Sequence, residues 1–320
     1  KARQKRAAFA AVAAAVAQRA PLPDAPRPAG IQHDQVVWVT TPARLDLAGG
    51  WTDTPPVSLE GGGSVVNAAV TLNGQYPLQA MAKLNDRFTI RLTSIDLGER
   101  VEFRHGAELR DHADPRHWAA LPKAALVLAG IAPEAGRGSL ARWLKTLGGG
   151  LDLTLFSALP KGSGLGSSSI LGAAVLACLA RVRGETPSLD RLNRMTSVLE
   201  QRMGTGGGWQ DQVGGIVPGV KWIRTQPGPV QAPRIRSLAF PADWTDRMCL
   251  YYTGQKRLAR GILENVVWRY LSGDPATRQT LAALRRGASA LAEAIAERDY
   301  EAFLRGMDGY WTLKKQIDPG

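Results

Sequence analysis

The chain has 320 residues, of which 44% are hydrophobic and 21% charged, a composition typical of a globular protein with one large or two modest domains. Lysine and arginine exceed aspartate and glutamate by 40 − 28 = 12, yet the charges are spread along the chain, which argues against a nucleic-acid partner. Anionic small substrates or an arginine-rich genome would explain the excess equally well.

The cysteines and the apolar stretches bear on location. The two cysteines, Cys178 and Cys249, lie in apolar runs, so we expect buried free thiols and a reducing cytoplasm. No apolar stretch is long enough to span a membrane. Basic residues before an alanine-rich run at 7–17 loosely mimic a signal peptide, but alanine and arginine at this density favour an exposed helix. Because residue 1 is not Met, we expect the chain to start inside a longer protein.

The first third of the chain predicts a helix, a linker and a group of strands. Residues 1–20 are expected to form the helix, and the proline-rich residues 21–28 the linker. Strands separated by polar or glycine-rich turns are then predicted at 35–40, 78–84, 87–93 and 100–104. We expect the last three of these strands, which follow one another with polar turns between them, to form an antiparallel sheet.

The rest of the chain is richer in helices. A strand at 151–157 alternates polar and apolar residues and runs into a loop of glycine and serine at 160–169, and a further strand is predicted at 248–252. Helices are expected at 123–129, 170–182, 188–203, 256–271, 276–297 and 300–307. This order, with strands first and helices later, predicts an α+β fold with two lobes.

The loop 160–169, PKGSGLGSSS, carries the strongest signal of chemistry. Its glycines let the backbone approach an anion, and the N–H groups that open the following helix favour negative charge. The hydroxyls of Ser167, Ser168 and Ser169 add donors or a ligand for Mg²⁺. The loop is neither a Walker A motif nor a dinucleotide-binding fingerprint. A flexible connector, the alternative, would rarely lie between an alternating strand and an apolar helix. The loop therefore predicts a phosphate site.

A second segment, TPARLDLAGGWTDTPP at 41–56, places Arg44, Asp46 and Asp53 around a tight glycine turn. An aspartate on such a loop can accept hydrogen bonds from sugar hydroxyls, and Trp51 offers a flat face to a pyranose ring. An ordinary turn with solvated charges is the alternative.

A third segment combines a helix with a second glycine-rich loop, GTGGGWQDQVGG at 204–215. Glu200, on the helix, could hold Mg²⁺, which prefers hard oxygen ligands. Asp211, on the loop, could accept the proton of an attacking hydroxyl, and Trp209 lies beside it in sequence. The alternative is a glycine stop at the end of a helix, followed by a surface aspartate.

Together these segments resemble the motifs of the GHMP kinases, the group that includes galactokinase, mevalonate kinase and homoserine kinase. Within the family, the chain looks most like the L-fucokinases, including the kinase half of bifunctional fucokinase/GDP-fucose pyrophosphorylases. Five segments, in order between residues 45 and 263, carry the resemblance: LDLAGGWTDTPPVSLEGGGSVVNAAVTLNGQYPLQA, LPKAALVLAG, GSGLGSSSILG, TGGGWQDQVGG and YYTGQKRLARGIL.

The resemblance implies a role for each matching residue. Asp211 resembles the catalytic carboxylate and Arg44 its basic partner, while Ser168 and Glu200 match the positions of Mg²⁺ ligands. The implied ATP and phosphate site comprises Pro160, Gly162, Ser163, Gly164, Leu165, Gly166, Ser167, Ser168 and Ser169. The implied substrate site comprises Asp53, Trp51, Gly50, Thr52, Gly208, Trp209 and Tyr252. Galactokinases usually carry a Glu–His pair where this chain has Gly50 and Trp51, which favours a sugar other than galactose.

The resemblance also implies a two-lobed fold. Residues 1–30 would be the N-terminal helix and linker, and 31–225 an ATP-binding lobe like ribosomal protein S5 domain 2. Residues 226–320 would form a helix-rich, ferredoxin-like lobe. The family's third glycine-rich motif has no counterpart before Gly320, so we expect that this second lobe is incomplete.

The implied function is that of an ATP-dependent sugar 1-kinase that uses ATP and Mg²⁺ to convert L-fucose to L-fucose 1-phosphate. We expect a cytoplasmic enzyme with a small sugar as its partner, without nucleic acid or membrane, and fused to a nucleotidyltransferase domain. A heptose-phosphate kinase of the same fold and an inactive nucleotide-binding module are the alternatives.

Overall fold

The computed structural model describes residues 2–17, 22–23, 25–110, 117–134, 138–254 and 259–318. Its strands are β1 (Val36–Thr41), β2 (Ala43–Ala48), β3 (Ser64–Val70), β4 (Leu78–Asn85), β5 (Ile90–Ser94), β6 (Glu99–Phe103), β7 (Gly150–Ser157), β8 (Val220–Arg224) and β9 (Arg234–Leu238). Its α-helices are α1 (Ala2–Ala17), α2 (Val57–Gly61), α3 (Ala120–Leu128), α4 (Leu140–Leu147), α5 (Ser167–Val182), α6 (Leu189–Arg202), α7 (Gln210–Ile216), α8 (Ala242–Thr245), α9 (Ala259–Leu271), α10 (Pro275–Glu297) and α11 (Tyr300–Ile317). The mixture of sheets and helices confirms the α+β fold class.

The strands form two sheets. The larger has the order β1-β4-β7-β5-β6, and the smaller has the order β2-β3-β8-β9. All neighbours pair antiparallel except β5 and β7, which are parallel. Of the strands predicted to form an antiparallel sheet, β5 and β6 pair antiparallel as predicted, whereas β4 and β5 are not neighbours because β7 lies between them. The chain between β5 and β7 includes β6, α3 and α4, and this length allows the crossover that a parallel pair needs.

The main core lies between the larger sheet and α5. Leu151, Leu153 and Leu155 alternate along β7 and are buried, as a strand with one face on a core requires. They pack in one cluster with Val175 and Leu179 of α5. Burying each such side chain contributes about 1.5–3 kcal/mol, so this layer fixes the strand and the helix on either side of the loop 160–169.

A second core joins the smaller sheet to the C-terminal helices. Leu47 of β2 and Trp222 of β8 pack with Leu291 of α10 and Phe303 of α11. Strand β9 pairs with β8 through residues beyond the domain boundary expected at 225/226, so the smaller sheet continues across that point. The shared cluster brings α11 against the strand that carries Arg44.

Part of the C-terminal prediction is wrong. Residues 248–252 form no strand; Leu250 is 58% and Tyr251 82% exposed, and Cys249 is exposed rather than buried. A strand needs a pairing partner, and in the described ranges no other strand lies beside this stretch.

Helix α9 begins at Ala259, and residues 256–258 of the predicted helix lie outside the described residues. Helix α11 continues to Ile317, well beyond its predicted end at 307. None of the helices described combines the length and the apolar character needed to cross a membrane.

Candidate active site

Arg44 joins three separate segments of the chain. It lies on β2, is buried, and donates through Nε to Oδ1 of Asp211 at 2.8 Å and through Nη2 to the same oxygen. Its Nη1 donates to the carbonyl oxygen of Gly164 at 2.9 Å. Burial alone would lower the pKa of Arg44, but the charges of Asp211 and Asp46 outweigh it and raise that pKa above its ordinary value. One guanidinium therefore links the segment 41–56, the loop 160–169 and α7.

Asp211 lies in the first turn of α7, whereas the sequence predicts that it lies on a loop. Its side chain is 25% exposed, and Arg44 contacts it at Oδ1. Among the described residues, Oδ2 has no hydrogen-bond partner. An ionised carboxylate can accept several hydrogen bonds, so Asp211 retains an oxygen that can accept a proton from a bound hydroxyl.

Gly166 lets the loop 160–169 approach this ion pair. Its φ is +73°, and a Cβ there would lie 3.1 Å from both Nε of Arg44 and Cγ of Asp211. A larger residue would face both a disfavoured backbone conformation and a tight contact. The glycine thus brings the start of α5 directly beside the pair.

The loop has the features of a phosphate cradle. Gly166 is the N-cap of α5 without a side-chain hydrogen bond, so the first N–H groups of this helix are not capped. A Cβ on Gly164 would meet nothing within 4 Å, and Ser163 Oγ is a buried hydroxyl without a partner in the described part of the chain. Leu165 packs on a small apolar cluster that anchors the loop. Pro160, Gly162 and Ser168 are exposed, and Ser167 is half-buried.

Glu200 is buried beneath the loop. Its Oε1 accepts a hydrogen bond from Ser169 Oγ at 2.8 Å, and its Oε2 accepts one from Thr205 Oγ1. Burial raises the pKa of Glu200, against the effect of these hydroxyls. The structure therefore brings Ser169 into contact with Glu200, whereas the predicted partner, Ser168, lies exposed on the first turn of α5. Within the described residues, no group of three or more His, Cys, Asp or Glu side chains could hold a metal ion.

Asp53 is fully buried at the start of α7. Its Oδ2 accepts from the backbone N–H of Gln210 at 3.0 Å, and its Oδ1 accepts from Nε2 of the same residue at 3.1 Å. Burial raises the pKa of Asp53 to about 7. The hydrogen bond from the Gln210 N–H lowers this pKa, and the negative charges of Asp211 and Asp46 raise it further. Gly208 leaves room for this carboxylate, because a Cβ there would overlap Oδ2. Asp53 thus holds α7 in this structure, with one hydrogen bond from Gln210 to each of its oxygens, and its contact with sugar hydroxyls stays a prediction.

The turn between β2 and α2 is held by its own polar groups. Thr52 is buried; its Oγ1 donates to the carbonyl oxygen of Gly49 at 2.7 Å and accepts from Ser64 N at 3.0 Å. Trp51 has a φ of +84°, which a non-glycine residue rarely adopts. Gly50 has no room for a side chain beside Oδ2 of Asp46. Thr52 and Gly50 therefore shape the turn, while half-buried Trp51 remains available to a ligand.

Two predicted substrate residues lie elsewhere. Trp209 is 2% exposed and packs with Val65 and Val213, so it belongs to the core rather than to the surface of the site. Tyr252 is 49% exposed on the unpaired stretch 248–252, and no hydrogen bond described joins it to the other site residues. Apolar side chains beside a catalytic carboxylate in sequence can face the opposite side of a short helix or loop, which a motif alone does not reveal.

The structure adds residues of α11 that the sequence interpretation missed. Tyr310 Oη donates to Oδ2 of Asp46, and Lys314 Nζ lies 3.4 Å from the same oxygen. Lys314 Nζ also lies 5.5 Å from the centre of the Trp51 ring. Burial and the Asp46 charge raise the pKa of Tyr310 well above its ordinary value. The helical spacing of apolar residues from Phe303 onwards could have extended the predicted helix to these positions.

The sequence matches the family described as GHMP kinases N terminal domain over residues 134–219. It is 41% identical over 297 residues to the L-fucokinase/L-fucose-1-P guanylyltransferase of Bacteroides fragilis, covering 91% of this chain and 31% of that protein. It is 35% identical over 285 residues to the bifunctional fucokinase/GDP-fucose pyrophosphorylase of Arabidopsis thaliana, covering 88% of this chain and 26% of that protein. The chain thus spans less than a third of the length of these curated relatives.

A solved structure extends the similarity to the fold. The D-glycero-D-manno-heptose 1-phosphate kinase of Bacteroides thetaiotaomicron matches with a TM-score of 0.60 and 17% identity, covering 88% of this chain and 80% of that chain. At this identity the likeness concerns the fold alone.

Proposed function

We propose that the chain is a GHMP kinase that transfers the γ-phosphoryl group of ATP to the anomeric hydroxyl of a hexose, with L-fucose as the preferred acceptor. The observation that carries this proposal is the contact of Arg44 with both Asp211 and the carbonyl of Gly164. This contact places a carboxylate with a free oxygen next to a loop suited to phosphate. A hydroxyl bound there would have a proton acceptor on one side and a phosphoryl donor on the other.

The proposed reaction is an in-line displacement at the γ-phosphorus. The sugar oxygen forms a bond to phosphorus, the bond to the β-γ bridging oxygen breaks, and ADP leaves with that electron pair. Oδ2 of Asp211 accepts the hydroxyl proton, while Arg44 keeps the carboxylate oriented and offsets negative charge on the transferring group. Positioning and electrostatics supply most of the acceleration in reactions of this class.

The loop 160–169 suits ATP as the phosphoryl donor. The uncapped N–H groups at the start of α5, the partnerless hydroxyl of Ser163 and the open space at Gly164 would accommodate phosphate oxygens. The residues that the resemblance assigns to Mg²⁺ are Glu200 and Ser168. Both oxygens of Glu200 already accept hydrogen bonds from Ser169 and Thr205, so Mg²⁺ at this site would be held mainly by the phosphates and water, with Ser168 as a protein ligand. When bound, Mg²⁺ would neutralise charge on the β- and γ-phosphates.

The acceptor side favours a neutral sugar. The charge of Lys314 is offset by Asp46 at 3.4 Å, and the Asp211 side chain is 25% exposed, so these residues present little net positive charge to a phosphorylated acceptor. The names of the curated relatives supply L-fucose as the sugar. A heptose phosphate is the second candidate acceptor; Lys314, whose side chain is 29% exposed, would have to leave Asp46 to bind its phosphate.

We further propose a cytoplasmic location and a link to a nucleotidyltransferase. The relatives' names pair fucokinase with a guanylyltransferase or pyrophosphorylase, activities that would consume a sugar 1-phosphate. Both cysteines are free thiols, which suits a reducing compartment.

The test is a coupled ADP-release assay on this chain with ATP, Mg²⁺ and, in turn, L-fucose, D-galactose, D-arabinose and a heptose 7-phosphate. We expect ADP release that depends on sugar and is fastest with L-fucose. Preference for the heptose phosphate would move the assignment to the second candidate. ATP binding without turnover of any acceptor would contradict the proposal and leave a nucleotide-binding module.

A further inference from the structure

The helix that carries Asp211 ends on a buried lysine. Lys221, on β8, is fully buried, and its Nζ reaches three carbonyl oxygens: Gly214 at 2.5 Å, Val217 at 2.6 Å and Gly219 at 3.0 Å. Gly214 belongs to α7, and Val217 is its C-cap. The last turn of a helix and its C-cap leave carbonyls without intrahelical partners, as at Gly214 and Val217. Gly219 lies in the turn that follows, and its carbonyl oxygen also accepts from the N–H of Ala69 at 3.0 Å. Lys221 therefore caps α7 at its C-terminal end.

The geometry matches the charged form of Lys221. An ammonium group has three N–H donors, one for each of the three carbonyl oxygens, whereas a neutral amine has two. Burial lowers the pKa of Lys221 to about 7, and the three acceptors oppose that effect by stabilising the proton. The C-terminus of a helix carries partial negative charge, so a cation there is favoured.

The opposite end of α7 rests on Asp53. This carboxylate is also fully buried and binds the backbone N–H and the side chain of Gln210, the first residue of the helix. Partial positive charge at a helix N-terminus favours an anion. The seven residues of α7 thus lie between two fully buried groups whose ionised forms have the signs that the helix dipole favours.

Neutral contacts restrain the helix from the side. Gln212, which is fully buried, donates to Oδ1 of Asn193 at 3.0 Å. Asn67 donates to the carbonyl oxygen of Gln210 at 3.2 Å. A Cβ on Gly215 would lie 2.6 Å from the Ile170 side chain, so the helix packs closely against α5. These contacts limit rotation and lateral movement, while Asp53 and Lys221 limit movement along the helix axis.

We propose that Lys221 is a positioning residue. Together with Asp53 it fixes the position of α7 along the helix axis, so that Asp211 contacts Arg44 beside the loop 160–169. Lys221 touches neither Asp211 nor the loop and acts through the backbone of α7. Its structural role stands on the geometry alone, and its catalytic consequence rests on the proposed function.

Amide hydrogen exchange tests the structural role without any substrate. Lys221→Met keeps a long apolar side chain but removes this donor from the carbonyl oxygens of Gly214 and Val217, while the carbonyl oxygen of Gly219 still accepts from the N–H of Ala69 at 3.0 Å. We expect exchange of the α7 amides to accelerate about 10- to 100-fold, with little change in β4 and β7. The matched control is Trp222→Phe, which removes a buried 2.8 Å hydrogen bond to Ser64 from the opposite face of the same strand. The control should leave α7 exchange unchanged.

Kinetics test the catalytic consequence. Lys221→Met should lower kcat about 10- to 100-fold, because small misplacements of a catalytic group are costly, while the KM values for ATP and sugar stay within about twofold. In an Asp211→Asn background, the same substitution should cause no further loss of the residual rate. Trp222→Phe should leave kcat unchanged in both backgrounds.

The outcomes separate this inference from the proposed function. If the wild-type chain turns over no sugar, the proposed function fails, and the exchange experiment still decides whether Lys221 holds α7. If the wild type is active but Lys221→Met changes neither α7 exchange nor kcat, the inference is overturned. If Lys221→Met does not fold, Lys221→Gln, which keeps two donors without the charge, replaces it and should show the same two effects.

Discussion

The loop 160–169 and the helix α7 face each other across Arg44 but are built in opposite ways. The loop leaves polar groups without a partner in the described protein: the buried Ser163 Oγ, and the first N–H groups of α5, which no side chain caps. Helix α7 has buried partners at both ends, Asp53 and Lys221. The loop therefore has free donors for the anion that we propose it binds, whereas contacts within the protein hold the helix that carries Asp211. Such preorganisation costs nothing at the moment of reaction.

Removing the acceptor of the proton should have the largest effect. Asp211→Asn keeps the size of the side chain but cannot accept a proton as a base, so kcat should fall about 10²- to 10⁴-fold. ATP affinity should stay unchanged, because the loop binds the phosphates independently of Oδ2. Steady-state kinetics and ATP titration measure the two quantities, with the exposed Asp243→Asn as the control. Loss of ATP binding in a folded variant would contradict the assigned role.

Breaking the link between the two regions should come next. Arg44→Lys keeps the charge, but an ammonium cannot donate from a planar fork to Asp211 and Gly164 together. We expect kcat to fall about 100-fold, as for the loss of a donor that stabilises the transition state. Arg91→Lys is the control, because Arg91 forms a similar ion pair with Asp152 away from the site. Equal losses for the two variants would show that the Arg44 contact has no special role.

Filling the space between loop and ion pair should be milder. Gly166→Ala adds a Cβ at 3.1 Å from Arg44 and Asp211 at a φ of +73°. We expect weaker ATP binding and a kcat lower by about tenfold, through displacement of the loop. Gly148→Ala shares the positive φ but meets open space outside the loop 160–169, so it measures backbone strain without the collision. A Gly148 variant as impaired as the Gly166 variant would remove the collision argument.

The smallest expected effect is a change in stability with pH, caused by the titration of Asp53 at the N-terminal end of α7. Burial raises the pKa of Asp53 from 3.8 to about 7, so between these values the folded chain holds a proton that the unfolded chain has lost. The free energy of unfolding should therefore fall as the pH rises through this window, by on the order of 2 kcal/mol from this group. Asp53→Asn cannot titrate and should lose that part of the slope, as measured by urea unfolding at about pH 5 and about pH 8. An unchanged slope, equal to that of the exposed control Asp86→Asn, would contradict the shift.

The sequence predicted the loop far better than it predicted α7. Glycines and serines between a strand and an apolar helix predict a phosphate site from a short stretch of sequence alone. In the structure, α5 begins directly after Gly166, as this pattern requires. The roles around α7 depend on residues distant in sequence. A lysine in a short strand is usually an exposed charge. Lys221 can be buried because α7 places carbonyl oxygens beside its ammonium group, which the local sequence does not reveal. Trp209 was expected near a ligand because it precedes Asp211 by two positions, but side chains on a short helix diverge, and it packs in the core.

In the C-terminal region, too, the predictions failed where the structure depends on residues distant in sequence. The stretch 248–252 has strand-forming residues, but propensity does not supply a partner strand, and the stretch stays unpaired. Helix α11 was predicted too short, so Tyr310 and Lys314 were missed, although their partner Asp46 had been singled out in the sequence.

Phosphorus NMR of the chain with ATP, Mg²⁺ and L-fucose tests the central claim most directly, because it identifies the product instead of counting ADP. The account predicts a new phosphomonoester resonance, coupled to the anomeric proton of the sugar, that grows as the γ-phosphate signal of ATP declines and that Asp211→Asn abolishes. A signal from inorganic phosphate alone, or a sugar phosphate formed equally well by Asp211→Asn, would contradict it.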